Sequence, residues 1–257
     1  MDLMIHGKRA LVTGASLGIG RAVAAELARE GCDVALVARD ADRLRAAADE
    51  IAAATNRKVV ALPGDIKERD RVPALVEAAR AALGGIDILV NNAGSTPHDG
   101  IAALDVEGWR ASAELKLYGY ARFAQAVLPP MRARKWGRIV NVIGRSGHQP
   151  RPIYLAGGAI NAGLLNLTKA LAEDCARDNV LVTGVNPGPI DTPRWQALRA
   201  GAAEPADYDR RALASVALGR LGTAAEVAAV VVFLCSERAS YVAGEIVNVD
   251  GGGTRCI

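Results

Sequence analysis

Two hydrophobic periods alternate along this chain, and that alternation is its strongest structural constraint. Residues 10–12, 34–38, 59–62, 86–90, 139–143, 180–185 and 246–249 are short, largely apolar runs. Between them, residues 18–29, 42–53, 72–83, 107–134, 159–176 and 224–235 carry apolar side chains at helical spacing. A strand that is apolar at nearly every position must be covered on both faces, and parallel neighbours need a long crossover, usually a helix. The spacing therefore predicts an α/β fold, a parallel sheet between two helical layers. The 257 residues contain no repeat or low-complexity tract, so one domain over 1–257 is expected. The long helix at 107–134 is expected to break near Pro129 and Pro130, and the proline-rich stretch 187–205 to be an irregular surface segment or lid.

Composition excludes several classes. With 51% hydrophobic and 23% charged residues the chain is globular, not disordered. A net charge of +3, from 31 basic and 28 acidic residues, gives no reason to expect nucleic acid or a membrane surface as partner. Cys32, Cys175, Cys235 and Cys256 are widely separated, as are His6, His98 and His148, so neither a disulfide framework nor a metal site is expected. The N-terminus has no apolar leader and no run approaches a membrane span, which predicts a cytoplasmic protein.

The first chemical signal is Thr13-Gly14-Ala15-Ser16-Leu17-Gly18-Ile19-Gly20, between the first strand and the first helix. Glycines let a backbone approach a ligand closely, and a helix start offers free N–H groups and a positive dipole end to a pyrophosphate. The spacing TGxxxGxG, with Asn91-Asn92-Ala93-Gly94, Asp65-Ile66, Asn186-Pro187-Gly188-Pro189-Ile190-Asp191-Thr192 and Val249-Asp250-Gly251-Gly252, resembles the short-chain dehydrogenase/reductase family along nearly the whole chain. That resemblance implies a doubly wound Rossmann sheet and a dinucleotide at the carboxyl ends of its strands. It implies that Gly14, Ser16, Leu17, Gly18, Ile19 and Gly20 cradle the pyrophosphate and that Asp65 and Ile66 flank adenine. Asn92, Ala93 and Gly94 would line the groove, Ile190 and Thr192 would hold the nicotinamide carboxamide, and Pro187 would join them as a contact. Where NAD-preferring relatives carry an aspartate after the second strand, this chain has Ala38 followed by Arg39. Arginine pairs well with a 2′-phosphate, so NADP(H) is expected, with NAD possible and Asp40 as a complication.

The family's proton donor is a tyrosine in YxxxK, assisted by an upstream serine and by an asparagine on the long helix. An ammonium beside a phenol stabilises its anion. Aligned without a gap, the serine position here is Gly144, the tyrosine Gly157, the lysine Asn161 and the asparagine Lys116. A three-residue deletion would instead make Tyr154 the motif tyrosine, with Gly158 in place of the lysine. In either register the motif is broken, while lysine and asparagine have exchanged places. The expectation is that Tyr154 is the displaced proton donor, Lys116 its electrostatic partner, and Asn161 a contact of the nicotinamide ribose. Tyr120, one helical turn after Lys116, is a weaker candidate, and Tyr118 and Tyr120 read equally as interface residues. Arg145, Ser146, His148 and Arg151 form a basic loop able to hold an anionic substrate or polarise a carbonyl, and Trp195 could cap an apolar one. The expected function is NADP(H)-dependent hydride transfer with a small carbonyl, alcohol or conjugated substrate, in a homo-oligomer, dimer or tetramer. The alternative is a silent dinucleotide-binding partner or sensor.

Overall fold

The apolar runs become one sheet because each pairs with a parallel neighbour and helices cover both faces. The computed structural model describes residues 2–97, 100–103, 105–202 and 204–255; His98 and Cys256 lie outside them. In chain order the elements are β1 (Arg9–Thr13), α1 (Gly18–Arg29), β2 (Asp33–Ala38), α2 (Ala41–Thr55), β3 (Val59–Pro63), α3 (Arg71–Leu83) and β4 (Ile88–Asn91). Then come α4 (Val106–Ala113), a π-helical turn (Glu114–Tyr118), α5 (Gly119–Ala133), β5 (Gly137–Val142), α6 (Leu155–Cys175) and β6 (Val180–Pro187). The last are β7 (Ile190–Asp191), α7 (Pro193–Ala200), α8 (Pro205–Leu213), β8 (Gly222–Thr223), α9 (Ala224–Leu234) and β9 (Ile246–Val249).

Seven strands form a parallel sheet in the order β3-β2-β1-β4-β5-β6-β9, and β7 pairs with β8 in a separate two-stranded sheet. Side chains alternate across the large sheet. Val12, Leu36 and Val90 face α1, α2 and α9, where Leu27, Leu44 and Val231 meet them. Leu11, Val37 and Leu89 face the opposite layer, with Val72, Phe123 and Cys175 from α3, α5 and α6. This is the doubly wound single-domain α/β fold. The chain reverses its winding between β1 and β4, and their carboxyl ends open the crevice where such sheets bind ligands. No helix among the described residues is long and apolar enough to cross a membrane. Cys32, Cys175 and Cys235 are unpaired and buried.

Three local expectations are corrected. Pro129 and Pro130 sit inside α5 without breaking it; the irregularity lies earlier, in the π turn. The prolines fall in the last two turns, where the helix is about to end, so the lost backbone donors cost little continuity. The stretch 187–205 is not irregular throughout. Pro193 and Pro205 are first residues of helices, where a missing N–H removes no intrahelical bond. Finally, α6 begins at Leu155, four residues earlier than its periodicity suggests, because the Gly158 N–H bonds the Tyr154 carbonyl at 2.8 Å. Tyr154 is thereby the residue that enters α6, one turn before Gly157.

Candidate active site

The crevice begins at the turn after β1. Gly14 has a φ of +65°, a left-handed conformation that glycine adopts without strain. The turn is tied to the end of β4: Asn92 Nδ2 donates to the Thr13 and Gly14 carbonyls at 3.1 and 3.2 Å, and Thr13 Oγ1 accepts from the Asn92 and Ala93 N–H groups at 2.9 and 3.1 Å. Thr13 is therefore as central to this turn as the glycines. Gly20 lies beneath it, where a Cβ would collide with the Gly14 carbonyl and the Asn92 amide. Gly20 thus allows helix and turn to close together rather than lining the groove. The start of α1 has no side-chain cap, which leaves its first-turn N–H groups for a ligand.

Two cavities run from this turn. One, of about 560 Å³, is lined by Ser16, Ala38, Arg39, Arg43, Gly64 and Ile66 among others. Asp40 lines this cavity too, while its carboxylate caps α2: it accepts from the Arg43 N–H at 3.0 Å and pairs with the Arg43 guanidinium at 3.1 Å. Arg43, which periodicity alone does not mark, thus joins Arg39 at this end and offsets the Asp40 charge there. Asp65 is turned into its own loop, accepting from the Lys67 N–H at 3.0 Å.

The second cavity, of about 340 Å³, shares Gly14, Ala93, Gly94 and Ser95 with the first. Leu17, Gly18, Ile19, Asn92, Pro187 and Thr192 also line it. The combined groove is long, open and glycine-walled, and its residues fit a dinucleotide. Ile190 does not line it; the side chain is buried and borders a separate cavity with Gly222 and Asn248.

Lys116, Gly144, Tyr154 and Arg194 close the far end. The π turn delivers Lys116 there, with its stem against Gly94, where a Cβ would stand 3.0 Å from Lys116 Cδ. Lys116 Nζ donates to the Ile143 carbonyl at 2.6 Å and to Asn161 Oδ1 at 2.8 Å, and Asn161 Nδ2 reaches Ser146 Oγ at 2.7 Å. Both atoms of the Asn161 amide are thus engaged within the protein. Burial, with the Arg194 charge adding to it, pushes the Lys116 ammonium down from 10.5 to about 7. The ring of Tyr154 lies over Gly157, inside the space that a Cβ on that residue would take. Tyr120 is buried and its hydroxyl donates to the Val142 carbonyl at 2.9 Å, while Tyr118 is half exposed beneath the Arg122 guanidinium.

A third cavity of about 190 Å³ continues past Tyr154 and is lined by Arg145, Ser146, Arg151, Asn161 and Trp195. Trp195 Nε1 donates to Asp209 at 3.1 Å, and its ring tilts against Tyr208 at 5.0 Å between centroids. Ser146 and Arg194 gained their places from folding. Ser146 was legible as part of a polar loop, whereas Arg194 gave no signal in the sequence.

Residues 14–254 match a family model described as enoyl-(acyl carrier protein) reductase. The chain is 36% identical over 255 residues to the 3-oxoacyl-(acyl-carrier-protein) reductase FabG of Aquifex aeolicus, covering 98% of this chain and 99% of that one. It superposes with a TM-score of 0.94 and 35% identity on the L-sorbose reductase of Gluconobacter frateurii complexed with NADPH and L-sorbose, over 100% of both chains. A 3-oxoacyl-(acyl-carrier-protein) reductase from Agrobacterium tumefaciens with NADP bound gives 0.91 and 33%, over 98% of this chain and 96% of that one.

Proposed function

The chain is an oxidoreductase of the short-chain dehydrogenase/reductase family, and on that premise we propose that it transfers a hydride between NADP(H) and a small carbonyl or alcohol substrate through a rearranged proton-donating pair. The observation that carries this reading is the placement of Tyr154 over the vacant Gly157, in the same cavity as Lys116.

The turn at Gly14–Ile19 would hold the diphosphate, with Ile66 at the adenine and Arg39 and Arg43 at the 2′-phosphate. Asn92, Ala93, Gly94, Pro187 and Thr192 would border the nicotinamide, and Asn161 acts by holding Lys116. Bound there, NADPH supplies the hydride. Tyr154 gives its hydroxyl proton to the oxygen of the substrate carbonyl. Protonated Lys116 stabilises the phenolate left behind, because an opposite charge in a site shielded from water is felt strongly. Asn161 and the Ile143 carbonyl aim that ammonium, and Ser146 fixes Asn161. In this reading lysine and asparagine have exchanged positions, and here the two side chains touch.

A silent binder would have no use for the open cavity that remains beside Tyr154. The homo-oligomer, dimer or tetramer, belongs to the same proposal and draws support from the apolar surface at Val106 and Tyr118. So does a cytoplasmic location, consistent with unpaired buried thiols. The deciding experiment follows NADPH absorbance against a panel of ketones and aldehydes. Consumption that Tyr154→Phe abolishes supports the reading. Saturable NADPH binding with no consumption by any carbonyl overturns it in favour of the silent binder.

A further inference from the structure

Beyond Tyr154 the site is lined by positively charged side chains. The 340 Å³ and 190 Å³ cavities share Ile143, Gly144, Tyr154 and Pro187, so they are one continuous space. Its lining includes Lys116, Arg145, Arg151 and Arg194, and among the described residues no aspartate or glutamate lines it. Arg151 enters no ion pair among the described residues. Arg145 Nη2 donates to Ser215 Oγ at 2.8 Å and its Nη1 is buried against Gly253, so this guanidinium is anchored at the wall of the cavity. Asp250, the carboxylate whose charge reaches Arg145, already accepts from the Gly252 N–H at 3.1 Å and from Thr254 Oγ1 at 2.6 Å. Arg145 and Arg151 are near enough for the second to disfavour the charge of the first. Arg151 and Trp195 also border an adjoining cavity of about 290 Å³ that holds Glu204 and Asp207, the latter already paired with Arg210 and Arg211, so the charge of the space beside Tyr154 is one that a bound anion would balance.

We propose that Arg145 and Arg151 form a carboxylate-binding subsite and that the substrate is a compact oxo acid, reduced to the hydroxy acid. The inference rests on the oxidoreductase reading above and adds the substrate class. A carboxylate at the arginine end places a carbonyl a few bonds away beside Tyr154 and Lys116, at the junction of the two cavities. The carbonyl gains two electrons as NADPH is oxidised to NADP⁺. A C–H bond forms at the carbonyl carbon, the π pair moves to oxygen, and that oxygen takes the Tyr154 proton. Trp195, which also lines this end, supplies an apolar wall against the carbon chain. Arginine suits the task because its planar fork matches both carboxylate oxygens.

The test compares pyruvate, acetoacetate and levulinate with their methyl esters, and measures valerate binding to the NADP⁺-loaded protein by calorimetry. The expected result is a kcat/KM preference of about ten-fold or more for at least one acid over its ester. Arg151→Met should cut that preference and weaken valerate by a similar factor, with NADP⁺ affinity unchanged. Arg151→Lys should restore part of both. Reduction of the esters with no preference for any acid, or a preference that Arg151→Met leaves intact, overturns the subsite while the oxidoreductase stands. Valerate binding that depends on Arg151, with no carbonyl reduced, supports the subsite and sinks the oxidoreductase. Neither binding nor reduction sinks both.

Discussion

Lys116 Nζ stands 2.8 Å from Asn161 Oδ1, although the two residues are 45 positions apart and on different helices. On the proposal above, each occupies the position that the family pattern gives to the other. The ammonium enters from the π turn and lies against Gly94.

If Tyr154 donates the proton, Tyr154→Phe should lower kcat by about 10²- to 10⁴-fold, the usual worth of a positioned general acid. NADPH affinity should stay unchanged. Steady-state kinetics with a fluorescence titration of NADPH checks both.

The Lys116 ammonium titrates at about 7, so carbonyl reduction should fall as pH rises through that value and the charge is lost. Asn161→Asp places a carboxylate in contact with the ammonium and favours its charged form. The falling limb of the pH–rate profile should then move up by about 1–3 units.

Lys116 also shapes stability. Its affinity for a proton is lower in the folded chain than at the ordinary 10.5, so between about 7 and 10.5 the unfolded chain binds more protons. Stability from this group therefore rises with pH across that window and is lowest below it. Lys116→Met should remove up to about 1.4 kcal/mol per pH unit of that slope. Urea midpoints of both proteins at about pH 7.5 and about pH 9.5 measure the difference.

A methyl group at Gly157 would meet the Tyr154 ring, so Gly157→Ala should destabilise the wild-type protein by about 1–3 kcal/mol and reduce turnover. In a Tyr154→Ala background the ring is gone, and Ala in a helix is better than Gly by about 0.5–1 kcal/mol. The same substitution should then become stabilising. A double-mutant cycle of thermal or urea unfolding reads the sign change.

Arg39 lines the outer cavity free of the Asp40–Arg43 pair. Arg39→Ala should weaken NADPH by about ten-fold and leave NADH nearly unaffected, since only the former carries a 2′-phosphate. Titration with each nucleotide distinguishes the outcomes.

The order of strands and helices was legible in the sequence because burial on both faces imposes local periods that need no knowledge of distant neighbours. The phosphate turn was legible for the same reason: Gly14 and Gly18 sit at fixed offsets between a strand and a helix. The proposed departures from the family's catalytic set at 116, 144, 157 and 161 rest on counts along the chain. Helix boundaries were less legible. The start of α6 is set by Tyr154 entering the helix, and two glycines after it carry no side-chain period to read.

Tertiary structure decided what distant residues do together. It buried Lys116 and so brought its ammonium to about 7, committed Asn161 to Lys116 and Ser146, paired Asp40 with Arg43, and gathered Arg145, Arg151 and Arg194 around one space. Periodicity reports which face of an element is apolar, whereas charge, desolvation and reach depend on which elements meet. The sequence by itself determined the scaffold and the cradle, and the packing of α6 against the π turn and β5 decided the chemistry.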